Sequence, residues 1–191
     1  DLFINYVEHM LLFYSLDTNR YYGYTAGSES ISEGIIKKGK LKEFEQFLNN
    51  LEINYKLEPR ELDGKQQIYV KFDKGEANFY SIASTGTRAL ALFYYWTIKS
   101  EEVSLIFMDE FDAYYHYELS SYIVKYILKQ KNAQILFTSH NTNLMNNDLF
   151  RPDCLFIMQN KGIKTMSDLT EKELRQAHNL QKMYKAGAFD E

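Results

Sequence analysis

The sequence predicts an α/β chain in which parallel strands and packed helices fill residues 79–191, preceded by a small α+β region of helix and β-hairpin over residues 1–78. Three observations carry this expectation. The stretch VSLIFMDEFD, Val103 to Asp112, sets an apolar run without alternation directly before carboxylates, the pattern of a parallel strand covered on both faces. Ala89 to Ile98 is almost wholly apolar, so a helix there is a buried one. From residue 87 onward helical and strand patterns alternate, and βα alternation builds parallel sheets.

The elements follow in order. Leu2 to Leu16 is apolar and aromatic and reads as a helix, followed by a Tyr/Gly/Ser-rich loop through residue 34. Leu41, Phe44, Leu48 and Leu51 share one face of a helix over 41–51. Residues 53–57 and 67–72 alternate with period two around the turn residues Asp63 and Gly64, which predicts an antiparallel hairpin. Next come a helix over 87–99, a strand over 103–108, a helix over 117–130, a strand over 134–138, a short helix over 141–146 and a strand over 154–158. In the 117–130 helix, Leu119, Tyr122, Ile123, Tyr126 and Ile127 follow the spacing of a single buried face. Asn160, Lys161 and Gly162 make a tight turn into a last strand around 163–166. Thr170 and Glu173 form a capping-box pattern that starts the terminal helix.

Residues that follow a buried parallel strand emerge at its carboxyl edge, where open α/β sheets bind ligands. Asp109 is placed there to hold a magnesium ion, usually through water, because a hard cation beside phosphate oxygens favours a carboxylate. Glu110 is the candidate for polarising an attacking water. The plainer alternative is that acidic residues end such strands because the edge is solvated. Upstream, Ser84 to Thr87 opens the buried helix. Free N–H groups at a helix N-terminus, a Ser84 hydroxyl and close backbone approach at Gly86 suit a phosphate, although the same run also serves as a helix cap. His140 closes FTSH beside Ser139 at a strand end. A lone histidine there is commonly structural, and the Ser139-His140 pair at a predicted strand end is what raises it.

Taken together these segments resemble the ABC-type ATPase heads of the SMC/RecF/OLD group, and within it the bacterial ATP-binding proteins linked to abortive infection and phage defence. STGT, namely Ser84, Thr85, Gly86 and Thr87, matches the signature motif, commonly SSGT. LIFMDEFDAYYH, Leu105 to His116, matches Walker B with its D-loop, where the family often shows DELDASLH. FTSHNTNLM, Phe137 to Met145, matches the switch segment whose histidine senses the terminal phosphate, and NLQKMYKAGAFDE looks like the usual ending. The resemblance covers residues 79–191 well and residues 1–78 loosely.

That resemblance implies the C-terminal half of a P-loop NTPase head of ABC type, with ATP and Mg2+ as cofactors. It assigns Glu110 and His140 to catalysis, and Ser84, Thr85, Gly86, Thr87, Asp109 and Ser139 to the nucleotide, with Asp109 on the metal. It implies a homodimer joined by ATP through the signature and the D-loop. Ser84 and Gly86 would contact a γ-phosphate held by the opposite subunit, and hydrolysis would release the pair to switch an effector protein. Residues 1–78 become an insertion or lid between the ATPase halves, or a packing platform for the next helix. Tyr114 and Tyr115 depart from the smaller D-loop residues of the family.

Such heads need a P-loop, G-x-x-x-x-G-K-[ST], whose N–H groups and lysine hold phosphates. Gly34 to Lys40 fits as far as Leu41, where the hydroxyl is missing, and residues 27–33 before it are polar rather than a strand. The segment reads as a Lys-rich loop leading into the 41–51 helix. A P-loop is therefore expected upstream, and the isolated chain is expected to be inactive without it.

The chain has 191 residues, 45% hydrophobic and 16% aromatic, enough for a genuine core. A net charge of −4 and a pI near 5.7 give nucleic acid no bulk electrostatic support as a partner and leave that question open. The single cysteine, Cys154, is expected to pack as a small hydrophobe in the run 154–158, with no internal disulfide. No apolar stretch nears the ~18 residues of a membrane span. The expectation is therefore no membrane and a cytoplasmic location. His9, His178 and Arg151 carry no site signal. Two other classes compete: a non-hydrolytic interaction module with a head-like fold, and a nuclease with Asp109, Glu110 and Asp112 as metal ligands, for which D-E-F-D departs from the required D-x-D.

Overall fold

The apolar run before the carboxylates is strand β6 (Leu105–Asp109), and it lies parallel to β1 (Met10–Tyr14) on one side and β7 (Gln134–Phe137) on the other. A short antiparallel strand, β2 (Tyr21–Gly23), completes the order β2-β1-β6-β7. The structure is a computed structural model that describes residues 1–14, 21–23, 29–98, 103–129, 133–160 and 162–190. It divides into two units, Asp1–Tyr115 with Ile127–Ser139, and His116–Tyr126 with His140–Glu191. Along β6, Ile106 and Met108 are buried while Leu105 and Phe107 are half-buried, so one face is sealed and the other only partly covered. The strand begins at Leu105 rather than Val103.

The N-terminal expectation of one long helix is corrected. Helix α1 (Leu2–Glu8), capped by the Asp1 side chain, ends at His9, and the chain turns into β1. The Ser104 N–H donates to His9 O over 3.0 Å and the Ser104 hydroxyl to Tyr6 O over 2.6 Å, so pairing with the segment before β6 overrides the helical pattern. Residues 15 and 16 lie outside the described residues. β1, from the region expected to be an insertion, is thus the immediate neighbour of β6.

The Lys-rich loop is also corrected: residues 31–37 form helix α2 (Ile31–Lys37). Ser30 and Glu33 cap it reciprocally, the Ser30 hydroxyl taking the Glu33 N–H and the Glu33 carboxylate taking the Ser30 N–H. Gly34 is buried in mid-helix, where an added Cβ would stand 2.2 Å from Tyr95 Cε2. Gly34 to Lys37 of the P-loop look-alike are thus helix rather than a phosphate-cradling loop. Helix α3 (Leu41–Asn49) follows, burying Leu41, Phe44, Phe47 and Leu48. Phe44 packs on Phe79 and Tyr94 with ring centroids 5.8 and 5.0 Å apart.

The hairpin exists with a shifted first strand. β3 (Leu57–Leu62) pairs with β4 (Lys65–Phe72) around Asp63 and Gly64, both at positive φ (51° and 72°), as a tight two-residue turn requires. A third strand, β5 (Gly75–Asn78), was not expected. Residues 53–56 are not strand. Pro59 and charged residues hide β3 in the sequence, while Arg60 bridges Glu58 and Glu76 and Lys71 reaches Glu58, so cross-strand ion pairs stand in for an apolar alternation. After a short helix, α4 (Phe79–Ile82), helix α5 (Thr85–Thr97) buries every residue from Leu90 to Thr97, as its composition predicts. Residue 99 of the expected helix lies outside the described residues.

In the second unit, helix α6 (Tyr117–Ile127, its last residue counted with the first unit) buries Ser120, Ile123, Val124 and Ile127. Leu119, Tyr122 and Tyr126 are half-buried, so the covered face is rotated from the expected one. The helix expected at 141–146 is a single 3-10 turn, Thr142–Leu144. β8 (Phe156–Gln159) and β9 (Gly162–Thr165) form their own antiparallel pair rather than joining the parallel sheet. No helix starts at Thr170, whose hydroxyl accepts the Lys172 N–H instead; the terminal helix α7 (Leu180–Lys185) is capped by Asn179. Ile157, Met166, Leu180 and Phe189 make the core of this unit. Cys154 is exposed at the end of a 3-10 turn, Pro152–Cys154, which corrects its expected burial. Among the described residues no helix is long and apolar enough to cross a membrane.

Candidate functional site

β6 and β7 finish side by side, and their register builds the site. Met108 lies opposite Phe137, and the ladder continues one step as the Thr138 N–H donates to Met108 O over 3.0 Å. Thr138 is thereby set beside Asp109. Its hydroxyl donates to Asp109 Oδ1 at 2.6 Å and accepts the Glu110 N–H at 2.8 Å. The Phe111 N–H donates to Thr138 O at 3.2 Å, and the Ser139 hydroxyl donates to Asp112 Oδ2 at 2.8 Å. The turn 109–112 is laced to residues 138–139 by four hydrogen bonds, and the Phe111 ring packs 4.4 Å from that of Phe137.

Glu110 sits at φ 47°, in the left-handed region that a glutamate seldom adopts. Such backbone costs roughly 1–3 kcal/mol and persists where the surroundings over-determine it. Asp109 and Glu110 are half-buried, whereas Phe111 and Asp112 are buried. Burial pushes the Tyr115 phenol well above its ordinary range, and the Asp112 carboxylate adds to the same effect.

The donor chemistry fits a magnesium ion. Mg2+ keeps most of its waters and takes one or two carboxylates along with substrate phosphates, so a single half-buried Asp109 beside a hydroxyl is a sufficient protein contribution. Among the described residues no three His, Cys, Asp or Glu side chains converge as a metal-binding group. Asp109, Glu110 and Asp112 therefore do not make the ligand trio that the nuclease alternative requires.

The STGT segment gathers at the start of α5. Ser84 is the N-cap, its hydroxyl accepting the Thr87 N–H at 3.1 Å and lying 2.9 Å from the Thr87 hydroxyl. Ser84 and Thr85 are exposed, Gly86 is half-buried and Thr87 is buried. Thr87 thus completes the cap, while Ser84 and Thr85 face solvent. A Cβ on Gly86 would come 3.3 Å from Tyr114 O, so the absence of a side chain lets the helix start lie against the backbone after Asp112. His140 directly follows Ser139, is exposed, and belongs to the second unit.

Of the expected residues, Asp109, Glu110 and Ser139 come together at one sheet edge, and Ser139 does so through Asp112. Sequence reasoning misses Thr138, although it takes part in three of the four bonds, two through its hydroxyl and one through its carbonyl. Its signal is the hydroxyl that directly follows the apolar run of β7, which a parallel register of β6 with β7 matches to Asp109. No curated protein matches the chain. The α/β architecture with three parallel strands fits a P-loop NTPase-like fold, and over residues 8–146 the chain belongs to the P-loop AAA-type ATPase family described as "AAA domain, putative AbiEii toxin, Type IV TA system".

Proposed function

We propose that this chain is the signature-to-C-terminus part of an ABC-type ATPase head that closes around ATP with a second copy and switches an effector on hydrolysis. The observation that supports the reading best is the edge of β6, where Asp109 and Glu110 leave a parallel strand side by side and are both bound by Thr138. Family membership supports nucleotide chemistry. In this reading residues 31–37, which are helical, do not serve as the phosphate-binding loop.

In this reading Glu110 orients a water in line with the γ-phosphorus. The water oxygen bonds to phosphorus as the bond to the bridging oxygen breaks, ADP departs, and the water proton passes to the Glu110 carboxylate. Magnesium, held by Asp109 through water, supplies neutralisation of phosphate charge when bound. His140 donates to the terminal phosphate. Ser84, Thr85 and the exposed α5 N-terminus contact the γ-phosphate held by a second head, with Asp112 to His116 along the same seam, so ATP links two copies. Ser139 acts through Asp112, shaping that segment.

The test compares this chain with one extended N-terminally through a P-loop, measuring ATP turnover and ATP-dependent dimerisation. Turnover in the extended chain alone, lost in its Glu110→Gln variant, is the expected result. Absence of turnover in both, with partner binding retained, would replace the ATPase by a non-hydrolytic interaction module.

A further inference from the structure

We infer that Thr138 is the positioning residue of this site, whose single hydroxyl fixes both the Asp109 carboxylate and the Glu110 backbone; the inference rests on the ATPase reading above. A hydroxyl can donate one proton while accepting another, and Thr138 uses both capacities, towards Asp109 Oδ1 at 2.6 Å and from the Glu110 N–H at 2.8 Å. An aspartate rotates broadly about its terminal torsion, so a bond to Oδ1 fixes the plane of the carboxylate and with it the direction of Oδ2. The second bond holds the left-handed backbone of Glu110, at φ 47°, and so aims its side chain. Thr138 is itself fixed on both sides of its Cα, its N–H on Met108 O and its carbonyl accepting the Phe111 N–H. The neighbouring Ser139 hydroxyl donates instead to Asp112 Oδ2. One side chain thus places the metal-side carboxylate and the water-side carboxylate relative to each other.

Thr138→Val keeps the shape and removes the hydroxyl, and Thr138→Ser restores it. In this chain, amide hydrogen exchange at Glu110 is expected to accelerate by roughly tenfold in Thr138→Val and to stay near wild type in Thr138→Ser, as the loss of one hydrogen bond implies. In the P-loop-extended head, Thr138→Val is expected to raise the Mg2+ concentration for half-maximal turnover and to lower kcat by at least about tenfold with little change in KM for ATP, again with rescue by serine. A purely structural role would shift stability but leave the Mg2+ midpoint in place. Unchanged Glu110 exchange, or an unchanged Mg2+ midpoint in a folded Thr138→Val protein, overturns the inference; Thr138→Ala provides the same readout if valine prevents folding. Wild type without turnover would remove the ATPase reading alone, with Glu110 exchange still deciding for or against Thr138.

Discussion

The Ser139 hydroxyl donates to Oδ2 of Asp112, a buried carboxylate 27 residues earlier, over 2.8 Å. Removing the donor leaves a buried acceptor short of a partner, so Ser139→Ala is expected to destabilise the chain by about 1–3 kcal/mol. Urea denaturation measures it. A change in midpoint worth less than about 0.5 kcal/mol would mean that water replaces the serine at no cost.

Gly34 faces the Tyr95 ring with no room for a side chain, whereas Gly39 lies in open space at φ 67°. Gly34→Ala is therefore expected to cost about 1–3 kcal/mol through overpacking, and Gly39→Ala about 1 kcal/mol through backbone strain. Because Gly34 to Lys37 are helical and Lys40 pairs with Glu43 at the start of α3, Lys40→Ala is expected to leave ATP affinity of the extended head unchanged. A marked loss of affinity by calorimetry would return residues 34–40 to phosphate binding.

Glu110→Gln in the extended head is expected to lower turnover by roughly 10²–10⁴ while ATP still binds, because the base is lost and the phosphate contacts remain. Turnover within a few-fold of wild type would remove Glu110 from its role.

Ser84 separates capping from ligand contact. Ser84→Ala is expected to cost about 0.5–2 kcal/mol of stability through the lost cap and to weaken ATP-induced dimerisation. Ser84→Asp keeps an N-cap acceptor, so it is expected to retain stability yet prevent dimerisation by placing like charge against phosphate. Normal dimerisation of Ser84→Asp, by light scattering with ATP, would leave STGT as a cap only.

Burial raises the phenols of Tyr80 and Tyr115 above their ordinary range. The folded chain then keeps protons that the unfolded chain releases above about pH 10. The stability from this source is complete below about pH 10 and is lost as pH rises toward the folded-state values. Urea midpoints at about pH 8 and about pH 11 are expected to differ less in a Tyr80→Phe, Tyr115→Phe double variant than in wild type. At neutral pH, Tyr80→Phe is expected to be neutral or stabilising, since the Tyr80 hydroxyl is buried without a hydrogen-bond partner among the described residues.

The legible parts of this chain were those where one interaction dominates. The apolar density of Ala89 to Ile98 forces burial whatever surrounds it, and Leu105 to Met108 has no other place than a sheet. Met10 to Tyr14 looked helical because local pattern cannot reveal a strand partner at Leu105 to Asp109, supplied from far along the chain. The first hairpin strand lies further along than its pattern suggests because Glu58, Pro59, Arg60 and Glu61 give β3 no apolar alternation to read. Asp109 and Glu110 were visible as residue types at a strand end. Thr138 was not, because its role depends on the register between two strands, and the sequence leaves that register unstated.

The pairing of Met10 with Leu105 also sets an order of events during synthesis. Leu105 follows Met10 by 95 residues, which at ~5–20 residues per second leaves the β6 side of β1 unpaired for roughly 5–20 seconds. Over that interval the hairpins between Leu57 and Asn78, closed by near neighbours in sequence, can already form. The β1–β6 pair closes only after this long segment has been drawn in, so it is a contact of high contact order, and the β6 side of β1 stays open until Leu105 to Asp109 arrive.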